Sequence, residues 1–129
     1  MTDDLKDIAW SAARILKEYD SSRIRLDACD ALIAYDDFNN VDSMFGWEID
    51  HIFPVSRLRE LNVSEELWNH PLNIRALHWK NNWSKGVSYP MYTSSVIAYG
   101  DTNMEQQNVY WISDPLQDSL RSLFKIKDI

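Results

Sequence analysis

The chain reads as a single α+β domain. Apolar residues recur at helical spacing near both ends, and short apolar runs of strand length alternate with turn residues between them. No linker, internal repeat or low-complexity tract divides the 129 residues, a length that suits one compact domain and not two. The 45% hydrophobic content, with six Trp, six Tyr and four Phe, supports a core, and 26% charged residues is an ordinary globular composition.

The first element rests on Leu5, Ile8, Ala12, Ile15, Leu16 and Tyr19, whose spacing predicts an amphipathic helix over residues 3–19. Thr2 suits its cap, Asp3 and Asp4 its positive end, and Lys17 the other. In RIRLDACDALIAYDDF, apolar runs at 24–26 and 31–35 flank an Asp-rich turn at 27–30, which predicts a hairpin. The acidic residues Asp27, Asp30, Asp36, Asp37 and Asp42 lack the spacing and closing Glu of a calcium loop, so they read as a solvated, turn-forming set.

GWEIDHIFP predicts a strand ending in a turn at Pro54, and SRLRELNVSEELWNH a short helix capped by Ser64 with Glu65 and Glu66 in its first turn. PLNIRALHW predicts a second strand, and KNNWSKG a short helix stopping at Gly86. Beyond Pro90, SSVIAY and NVYWI predict a strand pair. Asp114-Pro115 then opens a last helix carrying Leu116, Leu120, Leu123 and Phe124. The expected domain is therefore residues 1–129, with a strand–loop–strand–helix core at 46–86, an N-terminal helix, a β-hairpin and a C-terminal strand and helix extension.

Composition narrows the function classes. No run approaches the roughly 18–20 apolar residues of a membrane span, and the acidic start MTDDLKDIAW lacks the features of a secretory signal. The single cysteine, Cys29, can form no internal disulfide, which points to a reducing, cytoplasmic setting and excludes a cysteine-built zinc knuckle. The formal charge of −7 is unusual for a nucleic-acid binder, but it is unevenly spread. Residues 1–50 carry five Lys/Arg against twelve Asp/Glu, residues 51–90 five against three, and residues 91–129 three against five. Only the central stretch is net basic.

That stretch also holds the residue types that phosphodiester hydrolysis requires. A water must lose a proton, and charge on the phosphate and leaving oxygens must be offset. His51 can accept the proton near neutral pH. Magnesium takes oxygen ligands and tolerates one or two from protein; Asp50 can supply one and the Asn82 amide another. Neighbouring strand residues face opposite sides, so Asp50 and His51 share a site only if the backbone bends there, as Pro54 allows. Asn73 can fix the loop and the histidine through backbone hydrogen bonds, and Lys85, one helical turn from Asn82, can point at a phosphate.

The stretch GWEIDHIFP…NIRALHWKNNWSKG resembles the HNH nucleases of phage and bacterial homing enzymes, colicins, restriction enzymes and CRISPR effectors. The matching elements are Asp50-His51, the central Asn73, and Asn82 with Lys85. The resemblance implies a ββα-metal core, His51 as general base, Asp50 and Asn82 as ligands of Mg²⁺ (or Mn²⁺ or another divalent cation), and Asn73 as the residue orienting the base. It implies metal-dependent hydrolysis of DNA phosphodiesters, one strand per site. Asn81 competes with Asn82 for the ligand role, and the spacing to Lys85 favours Asn82. Trp83 stands where many relatives carry Arg, and with no cysteine pairs for a structural zinc, Trp47, Trp79 and Trp83 are expected to supply the packing.

The expected substrate-binding set is Lys85, Arg75, Arg57 and His78, with a packing or capping role the other reading of His78. His70 reads as a turn histidine. DNA is the expected partner, RNA the alternative substrate, and a protein partner or a homodimer would offset the acidic flanks. The rival reading is a binding or regulatory module of the same fold with little or no cleavage.

Overall fold

The computed structural model describes the backbone of residues 2–126 and the side chains of residues 4–126. Among these, five α-helices accompany three two-stranded antiparallel sheets. In chain order they are α1 (Thr2–Ser11), β1 (Ile24–Leu26), β2 (Leu32–Ala34), β3 (Trp47–His51), α2 (Val55–Glu60), α3 (Glu65–Trp68), β4 (Ile74–His78), α4 (Trp79–Lys85), β5 (Met91–Tyr99), β6 (Thr102–Trp111) and α5 (Asp114–Phe124). No helix among the described residues is long and apolar enough to cross a membrane.

The β3–β4 pair is the central layer, and its alternation assigns its two faces. Trp47, Ile74 and Ala76 pack against Ala9, Trp10 and Ala13 of the α1 region and Ile33 of β2. Leu77, with Ile52 and Phe53 just past β3, packs against Tyr92, Ile112, Leu120 and Phe124. Burying a Leu- or Phe-sized side chain contributes roughly 1.5–3 kcal/mol, so these two clusters hold α1 and α5 to opposite faces of the hairpin.

Several local expectations are met by specific devices. Gly86 ends α4 at φ 54, a conformation that favours glycine. Ser113 caps α5 by accepting from Leu116 N, with Pro115 in the first turn. Ser64 sits at the α3 N-cap, although its side chain makes no capping hydrogen bond.

The first helix is shorter than its periodicity predicts. It stops at Ser11 because the chain turns to pair with β1: Arg14 N donates to Leu26 O at 2.8 Å and Leu26 N to Arg14 O at 2.9 Å. Ile15, assigned to the apolar face, is consequently 59% exposed. The side chains of the expected cap Thr2 and of Asp3 lie outside the described residues. A second departure is α2: the stretch after Pro54 was expected to hold one short helix capped by Ser64, and it holds two, with Leu58 the buried residue of the first.

Asp27 also departs from expectation, being buried rather than solvated. Its carboxylate accepts from Cys29 N, Ala31 N and His78 N at 2.8 Å and from Asn81 Nδ2 at 3.1 Å. Burial pushes its pKa up against the pull of those donors. It ties the β1–β2 turn to the junction between β4 and α4, and so sets where α4 begins.

Candidate active site

The site is built where α4 crosses β3. The β3–β4 register sets Asp50 opposite Arg75 and His51 opposite Ile74. Glu48 and Asp50, two residues apart, leave the same face of β3, the face on which α4 lies. Asn82 and Lys85, three apart, leave one side of α4. The two spacings match: Asn82 Nδ2 donates to Glu48 Oε1 at 3.0 Å, and Lys85 Nζ lies 3.2 Å from Asp50 Oδ1. The result is a ladder of two oxygen-bearing rungs, Glu48–Asn82 and Asp50–Lys85.

The two rungs differ in burial. Asp50 is 3% exposed and is held by two cations, with Arg75 Nε on its Oδ2 at 2.8 Å. Lys85 is closed to solvent and also donates to His51 O at 3.3 Å. Burial pushes the Lys85 pKa down, and Asp50 opposes that shift. The Glu48 rung is half-buried, and the Asn82 Oδ1 atom accepts no hydrogen bond among the described residues.

His51 is placed differently. Alternation persists through Ile52, whose N–H still pairs with Asn73 O at 2.9 Å and whose side chain joins the same core as Leu77. The bend therefore falls after His51, and its imidazole leaves the face opposite Asp50. Nε2 meets Asn69 Oδ1 at 2.7 Å; with the amide as placed, Nε2–H donates and Nδ1 is the nitrogen left to accept a proton. Asn73 does not touch the ring. It clamps the backbone on both sides: Phe53 N donates to its Oδ1 at 2.7 Å, and its Nδ2 donates to Phe53 O at 3.2 Å and Trp68 O at 3.1 Å. Phe53 follows His51 closely, and Trp68 precedes Asn69, so Asn73 positions the histidine and its partner through the chain.

The two adjacent asparagines separate cleanly. Asn81 is fully buried and spends its amide on Asp27, on Val96 O and on the N–H groups of Ser95 and Val96. It fastens α4 to β5. Asn82 is the one that faces the ladder.

Each residue of the expected substrate-binding set has a partner within the chain. Arg75 and Lys85 are both paired with Asp50. Arg57 donates to Tyr89 O at 3.2 Å with its guanidinium 5.0 Å from the Phe53 ring centre. His78 is buried, caps α4 by accepting from Lys80 N at Nδ1, and meets Met44 O through Nε2. Burial pushes its pKa below the usual histidine range. Of the tryptophans expected to pack the core, Trp47 is fully buried but Trp83 is 61% exposed.

Glu48 and Asn69 are the residues that sequence reading passed over. Glu48 was legible as a carboxylate two positions before Asp50 on one strand face; Asn69 carried no signal, because its contact with His51 depends on how α3 ends.

No group of three or more His, Cys, Asp or Glu side chains converges on a common point among the described residues. No family model matches the chain, and no curated protein or solved structure matches it.

Proposed function

We propose that the protein is a divalent-metal-dependent endonuclease of the HNH (ββα-metal) kind that hydrolyses DNA phosphodiester bonds, one strand per site. The observation that carries this reading is the ladder. An antiparallel hairpin followed at once by a helix brings Glu48, Asp50 and Asn82, all hard oxygen donors, to one face, and the next residue of the strand is a histidine held by its own amide partner.

The donor set fits a small hard cation, which takes few protein oxygens and keeps water and substrate for the rest. Asn82 and Glu48 are the accessible donors. Asp50 joins them by giving up Lys85, whose ammonium supplies the positive charge that the buried carboxylate requires. When bound, the cation offsets charge on the phosphate and the leaving oxygen. His51 accepts the proton of the attacking water at Nδ1, and Asn69 and Asn73 keep the ring oriented.

A second reading is favoured by one observation: Asp50 and His51 leave opposite faces of β3, and Asp50 is already neutralised. On that reading the chain is a binding or regulatory module acting through a protein partner. Supercoiled plasmid incubated with the purified protein and Mg²⁺, Mn²⁺ or EDTA separates the two. Metal-dependent conversion to the nicked form supports the nuclease; intact plasmid under every condition supports the module.

A further inference from the structure

Beside the ladder, α4 and the β5–β6 hairpin border an open groove of about 620 Å³, whose lining includes Trp79, Lys80, Trp83, Ser94, Glu105 and Gln106. Trp83 offers a large aromatic surface to water, yet it is not a loose side chain. Its Nε1 donates to Glu48 Oε1 at 3.0 Å, and its ring meets Trp79 edge-to-face with centroids 5.0 Å apart. An indole held still and left exposed is a ready stacking surface.

The rest of the groove is polar without being strongly charged. Ser84 and Ser95 also line it. Gln107 adds a second amide to that of Gln106 on the wall. Lys80 lies 3.2 Å from Glu105, so the rim carries little net charge. A flat aromatic face with amide donors and acceptors and no cation surplus suits a nucleobase, which stacks and bonds along its edge, better than it suits a bare phosphate.

Because Glu48 bonds both Asn82 and Trp83, this surface is continuous with the ladder. We propose that the groove seats an unpaired nucleobase of the strand engaged at the ladder, with Trp83 stacking on it, so that the substrate is single-stranded or locally opened nucleic acid. The inference rests on the nuclease reading for its substrate, not for the base-binding chemistry. A duplex keeps its bases stacked on one another, and extruding one costs energy. The balanced rim also accommodates the overall acidity, since stacking needs no phosphate track.

Affinity in EDTA, where hydrolysis plays no part, tests this. The probes are a short labelled single strand of mixed sequence and the same strand in a duplex. Wild type should prefer the single strand. Trp83→Ala should weaken that binding about 5- to 150-fold, equivalent to roughly 1–3 kcal/mol per stacked base, while Trp83→Phe should retain most of it. Trp83→Ala also removes the Glu48 contact, so Gln106→Ala with Gln107→Ala probes the opposite wall and should cost several-fold. Equal single-strand affinity with and without Trp83, or a preference for the duplex, would overturn the proposal. A protein that binds in the expected pattern but never nicks plasmid upholds the groove and removes the nuclease reading alone.

Discussion

The Lys85 ammonium lies 3.2 Å from the Asp50 carboxylate, with both side chains closed to solvent, and Arg75 completes the cluster from the neighbouring strand. Asp50 therefore has a structural duty, whatever chemistry it takes part in. Asp50→Ala leaves two buried cations uncompensated and should destabilise the fold by on the order of 3–5 kcal/mol. Asp50→Asn, which keeps the shape, should cost less. Urea denaturation of the two variants beside wild type measures this, and an Asp50→Ala protein as stable as wild type would refute the buried cluster.

On the nuclease reading, Lys85 and a divalent cation would compete for the Asp50 carboxylate. Lys85→Met leaves Asp50 with Arg75 alone, so the Mg²⁺ concentration giving half-maximal nicking should fall by about tenfold, equivalent to roughly 1.4 kcal/mol. Titrating Mg²⁺ against nicking rate in the two proteins gives the comparison. An unchanged or higher requirement would mean that Lys85 does not oppose metal at Asp50.

The adjacent asparagines should respond in opposite ways. Asn81→Ala strands Asp27 and the β5 backbone groups it bonds, and should cost about 3 kcal/mol or more of stability. Asn82→Ala should leave stability close to wild type and raise the metal requirement. Thermal melts together with Mg²⁺ titrations distinguish the two positions, and a silent Asn82 beside a metal-sensitive Asn81 would reverse the assignment.

These contrasts show what was legible in the sequence. The α4 and α5 ends were readable because Gly86, Ser113 and Pro115 act within one turn. The hairpin at residues 24–34 was readable from its Asp-rich turn, but not the burial of Asp27, whose partners His78 and Asn81 come over 50 residues later. The early stop of α1 was hidden for the same reason: it is set by pairing between Arg14 and Leu26. Within the site, residue identities were visible while allegiance was not. Nothing local tells that Arg75 and Lys85 are spent on Asp50, or that regular alternation carries His51 to the other face.

Stability should depend on pH through His78. Burial lowers its folded pKa below the unfolded value of about 6.5, so the folded state favours the neutral ring. As pH falls below about 6.5, the unfolded chain takes up a proton that the folded chain does not, and stability is lost. Asn at this N-cap can still accept from Lys80 N, so His78→Asn should flatten the melting-temperature profile below about pH 6.5 without losing the cap. A profile as steep in the variant as in wild type would assign the acid sensitivity to another group.

The most direct test removes the base and spares the fold. His51 is half-buried at a strand end and, among the described residues, its ring hydrogen-bonds Asn69 alone, so His51→Ala should stay folded. With supercoiled plasmid and Mg²⁺, wild type should accumulate nicked circles, EDTA should stop the reaction, and His51→Ala should nick on the order of 10²–10⁴ times more slowly. Nicking by a folded His51→Ala protein at the wild-type rate would contradict the assignment of His51 as the base.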